Sequence, residues 1–198
     1  MNKLLISALT TLLLSGCSIN PEQYKSNSPS LSFADYFEGK LCAWGTLKGR
    51  NNEVTRKFIA NIDAFKEQSY IVLDEQFVFS DGEKQTRVWK FIENGDAISG
   101  TAGDVVGEAT GKIFGDSLHL TYTLDIPQDE ESIEVEMDDW LHLVDRDTLM
   151  GTTKMTKWGF NVGQIDIVIQ KRNASTDCFA GTVVQQESNP TGDKNASI

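Results

Sequence analysis

The chain has few basic residues for its length. Lysine and arginine together number 18 against 29 aspartates and glutamates, which gives a formal net charge of -11 at pH 7 and a sequence pI near 4.6. A surface with this excess of negative charge repels the phosphates of nucleic acids and of anionic lipids. The composition therefore excludes nucleic acid as a partner and disfavours an electrostatic attachment to a membrane.

Motifs for enzymatic chemistry are also missing. The sequence contains no G-x-S-x-G, H-E-x-x-H, Walker or paired C-x-x-C motif, and its acidic stretch, residues 129–138, lacks the spacing of an EF-hand loop. Two histidines, His119 and His142, have carboxylates nearby, but the strand register places both on a polar outer face with no concavity to exclude water. We expect no catalytic residue, metal or cofactor, so an enzyme is the weaker hypothesis.

The sequence contains no second long apolar run, and a cysteine closely follows the one that it has. Lys3 precedes an apolar run, residues 4–14, that is too short for a stable membrane span, and Leu14-Ser15-Gly16-Cys17 has the pattern of a lipobox. In bacterial lipoproteins the thiol of this cysteine receives a diacylglyceryl group, the chain is cut before it, and the new amino terminus is acylated, for example with palmitate. Two or three acyl chains hold a protein on a membrane almost permanently.

The lipobox predicts a signal peptide over residues 1–16 and lipidation of Cys17. Ser18 follows, where an aspartate would commonly retain a lipoprotein at the inner membrane, so we predict the periplasmic face of the outer membrane. The alternative is an ordinary cleaved signal peptide with an incidental cysteine. The polar residues that come next show no periodicity, and we interpret residues 17–32 as a lipidated tether.

Cysteine is scarce, with three residues in the chain. With Cys17 assigned to the lipid, Cys42 and Cys178 remain as a disulfide candidate in an oxidising compartment. Closing a sheet into a barrel would bring the two residues together, and a bridge over so long a loop contributes about 4–5 kcal/mol on the chain-entropy model. The alternative is two unpaired thiols, one buried and one in the tail.

Residues beyond the tether alternate between apolar and polar side chains with a period of two. Hydrophobic residues make up 39% of the chain, enough for one core, and the connections are short, so neighbouring strands must be antiparallel. Ten such strands with no helix to cover a face must close into a barrel or fold into a sandwich. We predict a helical turn at 32–37, a lipocalin-like barrel domain at 33–172 and a polar C-terminal tail at 173–198. The predicted strands are 39–49, 54–65, 69–79, 84–93, 96–102, 107–114, 117–126, 133–144, 148–157 and 163–171.

The register of the last hairpins follows from the alternation. Pairing Ile126 with Ile133 keeps one face of three strands apolar, and it places Leu120 opposite Asp139 and Leu118 opposite Leu141. In the next hairpin Val144 is predicted to pair with Thr148, which places Asp139 opposite Thr153 and Asp138 opposite Lys154. A slip of one residue would mix the two faces, so the register is strongly specified.

This register isolates Asp139, a carboxylate on the predicted inner face. Burial raises the pKa of a carboxyl group unless a donor satisfies it, so Asp139 needs Thr153, a cation or water. One interpretation is a polar contact at the base of a ligand cavity. The plainer expectation is a β-bulge at Asp138-Asp139 that turns the side chain outward.

Several ordered motifs resemble one family of bacterial lipoproteins. The motifs are Tyr36-Phe37-Glu38-Gly39, Ala43-Trp44-Gly45, residues 103–109, residues 122–127, Asp138-Asp139-Trp140-Leu141 and Lys157-Trp158-Gly159-Phe160. Over residues 29–171 the chain resembles the lipoproteins grouped as domain of unknown function 3833. It departs from them at residues 150–153, where an Asn-Arg pair is expected, and in the tail from Asn173. The resemblance implies an envelope lipoprotein and supplies no activity, cofactor or catalytic residue.

The leading functional hypothesis is a lipocalin-like module that binds or carries a lipid or another hydrophobic molecule. Its motivation is the closed barrel, the four tryptophans and the acyl anchor, and its ligand-binding candidates are Asp139, Trp140, Thr153 and Trp44. The rival hypothesis is a structural or assembly lipoprotein without a ligand, which docks an envelope protein through an exposed Trp140 and the acidic strand.

Overall fold

The computed structural model describes residues 19–128 and 131–180. The predicted signal peptide, Cys17 and most of the C-terminal tail therefore lie outside the described residues. Neither helix of the described part has the length and apolar composition of a membrane span.

Ten antiparallel strands of the described chain form a closed barrel in which each strand pairs with its neighbours in sequence. β1 pairs with both β2 and β10, so the sheet has no exposed edge. This confirms the all-β, lipocalin-like meander. The strands are β1 Gly39–Gly49, β2 Val54–Glu67, β3 Tyr70–Phe79, β4 Lys84–Asn94, β5 Ala97–Thr101, β6 Ala109–Phe114, β7 Ser117–Gln128, β8 Glu131–Asp145, β9 Thr148–Lys157 and β10 Phe160–Arg172.

A short helix, α1 Phe33–Tyr36, closes one end of the barrel and confirms the predicted helical turn. Ser32 caps the helix, and the Glu93 carboxylate accepts hydrogen bonds from the backbone N–H groups of Phe33 and Ala34 at 3.1 and 2.9 Å. The Tyr36 hydroxyl reaches the Ile169 carbonyl at 2.8 Å. Since Phe33 and Tyr36 are buried, this end of the barrel is shut by apolar packing that polar contacts hold in place.

The predicted register is confirmed from β7 to β9, except at one turn. Leu120 pairs with Asp139, and Asp139 pairs with Thr153. The predicted pairing of Val144 with Thr148 is wrong, because the register shifts after Leu143 and Asp145 takes the place opposite Thr148. Val144 is 60% exposed, and the Asp145 carboxylate accepts a hydrogen bond from the Asp147 N–H at 2.8 Å, which fixes the turn locally.

A disulfide joins Cys42 on β1 to Cys178 beyond the end of β10, with the Cα atoms 5.4 Å apart. Both cysteines are buried. The bridge lies where β1 and β10 pair to close the barrel, and it links residues 136 positions apart in sequence. It therefore ties the segment after the last strand to the first strand.

Candidate functional site

The barrel encloses a cavity of about 550 Å³. One end is covered by Phe33 and Phe37 beside α1, and the lining continues along the inner faces of the strands. At the opposite end the lining includes Gln85, Thr86 and Pro127, which are exposed. The cavity is therefore closed at the α1 end and reaches the surface at the other.

Aromatic side chains form much of the cavity wall. Trp89 stacks on Phe91 with ring centroids 4.8 Å apart and meets Tyr122 edge-on at 5.3 Å. Near the open end Phe58 packs against Phe77 at 5.7 Å. The Phe58 ring lies against Gly45, where a Cβ atom would be 2.2 Å from it. Aromatic surface of this kind favours a flat or hydrophobic guest.

A partly buried ion pair, Arg87 with Asp104, lines the otherwise apolar wall. Arg87 on β4 donates three hydrogen bonds to Asp104, from Nε at 3.0 and 2.9 Å and from Nη2 at 2.7 Å. Asp104 lies between β5 and β6, in a connection held against β7 because the Asp104 carbonyl accepts a hydrogen bond from the Asp125 N–H at 2.9 Å. The guanidinium group of Arg87 is thus committed to one carboxylate in fork geometry.

Glu75 on β3 is a second carboxyl group of the cavity lining, 9% exposed. Burial raises the pKa of Glu75 to about 7, and the positive charge of Arg87 only partly opposes this effect. Near neutral pH both the protonated and the ionised form of Glu75 are therefore populated, and among the described residues the ionised form has no cation of its own.

Asp139 on β8 is the third carboxyl group of the lining and faces the cavity. Pairing is continuous through Asp138 and Asp139, so the expected β-bulge is wrong. Burial raises the pKa of Asp139 to about 6, while hydrogen bonding with the hydroxyls of Thr153 and Tyr122 acts in the opposite direction. Among the described residues, Asp139 Oδ1 has no hydrogen-bond partner.

Two of the four ligand-binding candidates line the cavity, and two do not. Asp139 and Thr153 face inward, and Thr153 is buried. Trp44 and Trp140 lie on the outside of the barrel, because each follows an inward residue in a strand that alternates strictly. These two candidates therefore lie outside the interior cavity.

The outer position of Trp140 is partly covered. Its indole ring stacks on the His119 ring at 4.4 Å, and Tyr24 from the 3₁₀ helix Pro21–Tyr24 packs on it at 5.8 Å. Trp140 is thus half-buried rather than fully exposed. Its surroundings hold the segment before α1 against the barrel wall.

Trp44 lines a second concavity, an outer groove of about 820 Å³ over β1, β2, β3, β8, β9 and β10. One cross-strand row runs through it, in which Trp44 pairs with Ile59 and Val168, Ile59 pairs with Val78, and Val168 pairs with Met150. The groove is therefore apolar along its middle, although it lies on the outer surface.

The histidines lie on the outer face, as the register predicted. His119 Nε2 lies 2.8 Å from Asp138 Oδ1, and His142 Nδ1 lies 2.8 Å from Ser117 Oγ. Ser117 has no accessible surface, so this serine-histidine pair cannot present a nucleophile to a substrate. Among the described residues, no three His, Cys, Asp or Glu side chains are placed to hold a metal ion.

Sequence reasoning missed five of the charged groups that line the cavity: Arg56, Glu75, Arg87, Asp104 and Asp125. Glu75 stands between the inward residues Leu73 and Phe77, and Arg87 precedes the inward Trp89 by two positions. The signal that could have identified Glu75 and Arg87 is a charged residue at a position where the alternation of the strand places side chains inward. Asp104 gives no such signal, because it comes from a connection without periodicity.

Two solved structures share the fold. The S-type phycobiliprotein lyase CPES from Guillardia theta superposes with a TM-score of 0.52 at 10% identity, covering 73% of this chain and 92% of that protein. A protein of unknown function from the DUF3598 family of Nostoc punctiforme gives a TM-score of 0.53 at 10% identity, covering 73% of this chain and 50% of that one. At such low identity these similarities establish the fold alone.

A search of curated proteins finds no match to the chain. A family model does match it, over residues 11–171, and the description of that model is "protein of unknown function (DUF3833)". The match spans most of the chain, including every strand from β1 to β9, and agrees with the motifs singled out in the sequence. The chain belongs to the DUF3833 family.

Proposed function

We propose that this protein binds a small hydrophobic molecule inside its barrel, at the periplasmic face of the outer membrane. The observation that carries the proposal is the enclosed cavity of about 550 Å³, with an aromatic wall, a few convergent polar groups and an opening at one end. Small-molecule sites in proteins typically have volumes of roughly 300–1,000 Å³ and this mixture of lining.

The membrane location rests on the lipobox. Acylation of Cys17 would hold the barrel at a bilayer, where hydrophobic molecules are concentrated and where a carrier would exchange them. Replacing Cys17 with serine, in a chain whose residues 1–16 are exchanged for an ordinary cleavable signal peptide, should move the protein from the membrane fraction to the soluble periplasmic fraction. An unmodified thiol at Cys17 in the mature protein would contradict the anchor and leave the cavity proposal standing.

The experiment for the cavity is native mass spectrometry of protein extracted gently from cells, with a variant that fills the interior. Leu120 lines the cavity and is buried, whereas Thr121 next to it lies on the outer face. We expect a co-purifying hydrophobic molecule in the wild type and in Thr121→Trp, and its loss in Leu120→Trp. Circular dichroism would verify that both variants keep the β-sheet spectrum.

Two results would contradict a ligand-binding barrel. One is a wild-type protein that emerges without any bound molecule and takes up none from a lipid extract. The other is equal ligand content in Leu120→Trp and Thr121→Trp, since filling the cavity must exclude its guest.

A second candidate function is docking of an envelope protein partner, and the outer groove favours it. Trp44, Ile59 and Val168 form an apolar row along this groove, and apolar grooves of this size often mark interaction sites. In-cell crosslinking should lose a specific product in Trp44→Ala. It should keep that product in Trp158→Ala, since Trp158 is 84% exposed in a distant turn.

A further inference from the structure

Of the described residues that line the cavity, Arg56 and Arg87 are the cationic ones. Arg87 is committed to Asp104 through three hydrogen bonds. Arg56, near the open end, lies 2.7 Å from Asp81 and 2.8 Å from Glu83 through its guanidinium nitrogens. Each cation therefore has a carboxylate partner before any guest enters, while Arg56 Nε is buried and makes no hydrogen bond among the described residues.

The carboxyl groups, in contrast, are in excess. Glu75 shares the charge of Arg87 with Asp104, which holds that guanidinium directly. Asp139 has an oxygen, Oδ1, that is buried and lacks a hydrogen-bond partner among the described residues. The middle of the cavity therefore offers hydrogen-bond acceptors and negative charge to a guest.

We propose that the cavity selects hydrophobic molecules whose polar end donates hydrogen bonds or carries a positive charge, such as a long-chain amine or alcohol, and rejects fatty-acid carboxylates. This inference rests on the proposed ligand-binding function and deepens it. It commits the site to guests with a donor or cationic head group and against anionic ones.

The preference follows from how buried polar groups are satisfied. An unpaired buried acceptor costs free energy, and a guest that donates to Asp139 Oδ1 recovers that cost. An ammonium group would also compensate the charge of Glu75. A carboxylate guest would add negative charge beside Glu75 and Asp139 while both arginines are occupied, so it would have to displace Asp104 from Arg87.

The raised pKa values of the two carboxyl groups agree with this account. Burial raises the pKa of Glu75 to about 7 and of Asp139 to about 6, and the positive charge of Arg87 opposes this effect only in part. A bound ammonium group would supply the missing positive charge and stabilise their ionised forms.

The test compares three probes with the same chain: dodecylamine, dodecanol and dodecanoate. Binding to the mature chain carrying Cys17→Ser is measured by isothermal calorimetry near pH 8, below the micelle-forming concentration of each probe. We expect one bound molecule per chain and an affinity for the amine at least about tenfold higher than for the carboxylate. The alcohol should lie between them.

Matched variants locate the effect inside the barrel. Asp139→Asn should reduce the affinity for dodecylamine about tenfold and change the affinity for dodecanol by less than about threefold. Asp138→Asn, one residue away on the outer face, should leave all three affinities unchanged and so report on binding to the acidic surface. Glu75→Gln provides a second inner variant with the same expected direction.

The outcomes separate the two levels of the proposal. Dodecanoate binding as tightly as dodecylamine, or an amine preference that survives in both Asp139→Asn and Glu75→Gln, would overturn the charge selection and leave a ligand-binding barrel. Failure of all three probes to bind would overturn the proposed function and this inference with it.

Discussion

A carboxylate on the outer face of the barrel wall and one on the inner face have pKa values that are shifted in opposite directions. On the outer face of β10, Asp166 accepts hydrogen bonds from Thr152 at 3.0 Å and from Gln164 at 2.7 Å. It also forms an ion pair with Lys48 at 2.5 Å, and these contacts lower the pKa of Asp166. On the inner face of β8, Asp139 Oδ1 has no hydrogen-bond partner in the part of the chain that the structure describes, and burial raises the pKa of Asp139 to about 6.

The comparison shows that the surroundings of the outer carboxylate stabilise its ionised form, whereas the surroundings of the inner carboxylates do not. Long polar side chains and solvent satisfy the outer carboxylate at little cost. The inner wall holds Glu75 and Asp139 in surroundings that destabilise their ionised forms. Groups kept at the expense of stability are typical of functional sites, which is why the interior carries the proposed function.

The largest expected effect comes from opening the disulfide at which the barrel closes. Replacing Cys42 and Cys178 with alanine should lower the free energy of unfolding by about 4–5 kcal/mol on the chain-entropy model, because the bridge spans 136 residues. Urea denaturation monitored by circular dichroism measures the change.

Reduction provides the control for this prediction. Wild-type protein treated with a reductant should unfold at the same urea concentration as the double variant, and the variant should not respond to the reductant. Titration of denatured, unreduced protein carrying Cys17→Ser should detect no free thiol; two reactive thiols would show that Cys42 and Cys178 are not bridged.

The second largest expected effect concerns Glu75, on the inner face of the barrel. Burial raises the pKa of Glu75 to about 7 from a reference value of 4.5, so the folded state holds this proton more tightly than the unfolded chain does. Stability from this group is fully present below about pH 4.5 and is lost as the pH rises through about 7. Glu75→Gln should therefore match the wild type near pH 4 and exceed its stability near pH 8 by up to about 3 kcal/mol.

Urea denaturation across this pH range provides the measurement, and Asp74→Asn provides the control. Asp74 is the neighbouring residue on β3, on the opposite face of the strand, so its replacement should leave the pH dependence of the wild type largely intact. A Glu75→Gln variant whose stability follows the wild type at every pH would show that Glu75 is not held in a desolvated site.

Much of the barrel was predictable from the sequence, because its determinants are local. Alternation placed Phe58 and Ala60 on one side and Lys57 and Asn61 on the other, and a one-residue slip at Asp139 would have mixed the two faces. The bulge at Val144 escaped prediction, since it depends on the backbone contact of Asp145 in the turn.

The site was less predictable, because its members meet only in three dimensions. Asp139 and Thr153 followed from the register of one hairpin. Arg87 and Asp104, 17 residues apart, meet through a connection that carries no periodicity. The partial covering of Trp140 could not be predicted for a related reason, since the packing of Tyr24 upon it depends on where the tether runs.

The smallest expected effect concerns Asp166 on the outer face, where the substitution should lower the stability of the protein rather than raise it. Contacts with Lys48, Gln164 and Thr152 lower the pKa of Asp166, so its contribution to stability is present above the unfolded value and is lost as the pH falls through the folded one. Its side chain is 37% exposed, and solvent screening limits the cost of Asp166→Asn near neutral pH to less than about 1 kcal/mol. Urea denaturation at low and high salt should show this difference shrinking with ionic strength. If Asp166→Asn instead stabilised the protein near pH 8, as Glu75→Gln should, the two faces would not differ in the way the structure indicates.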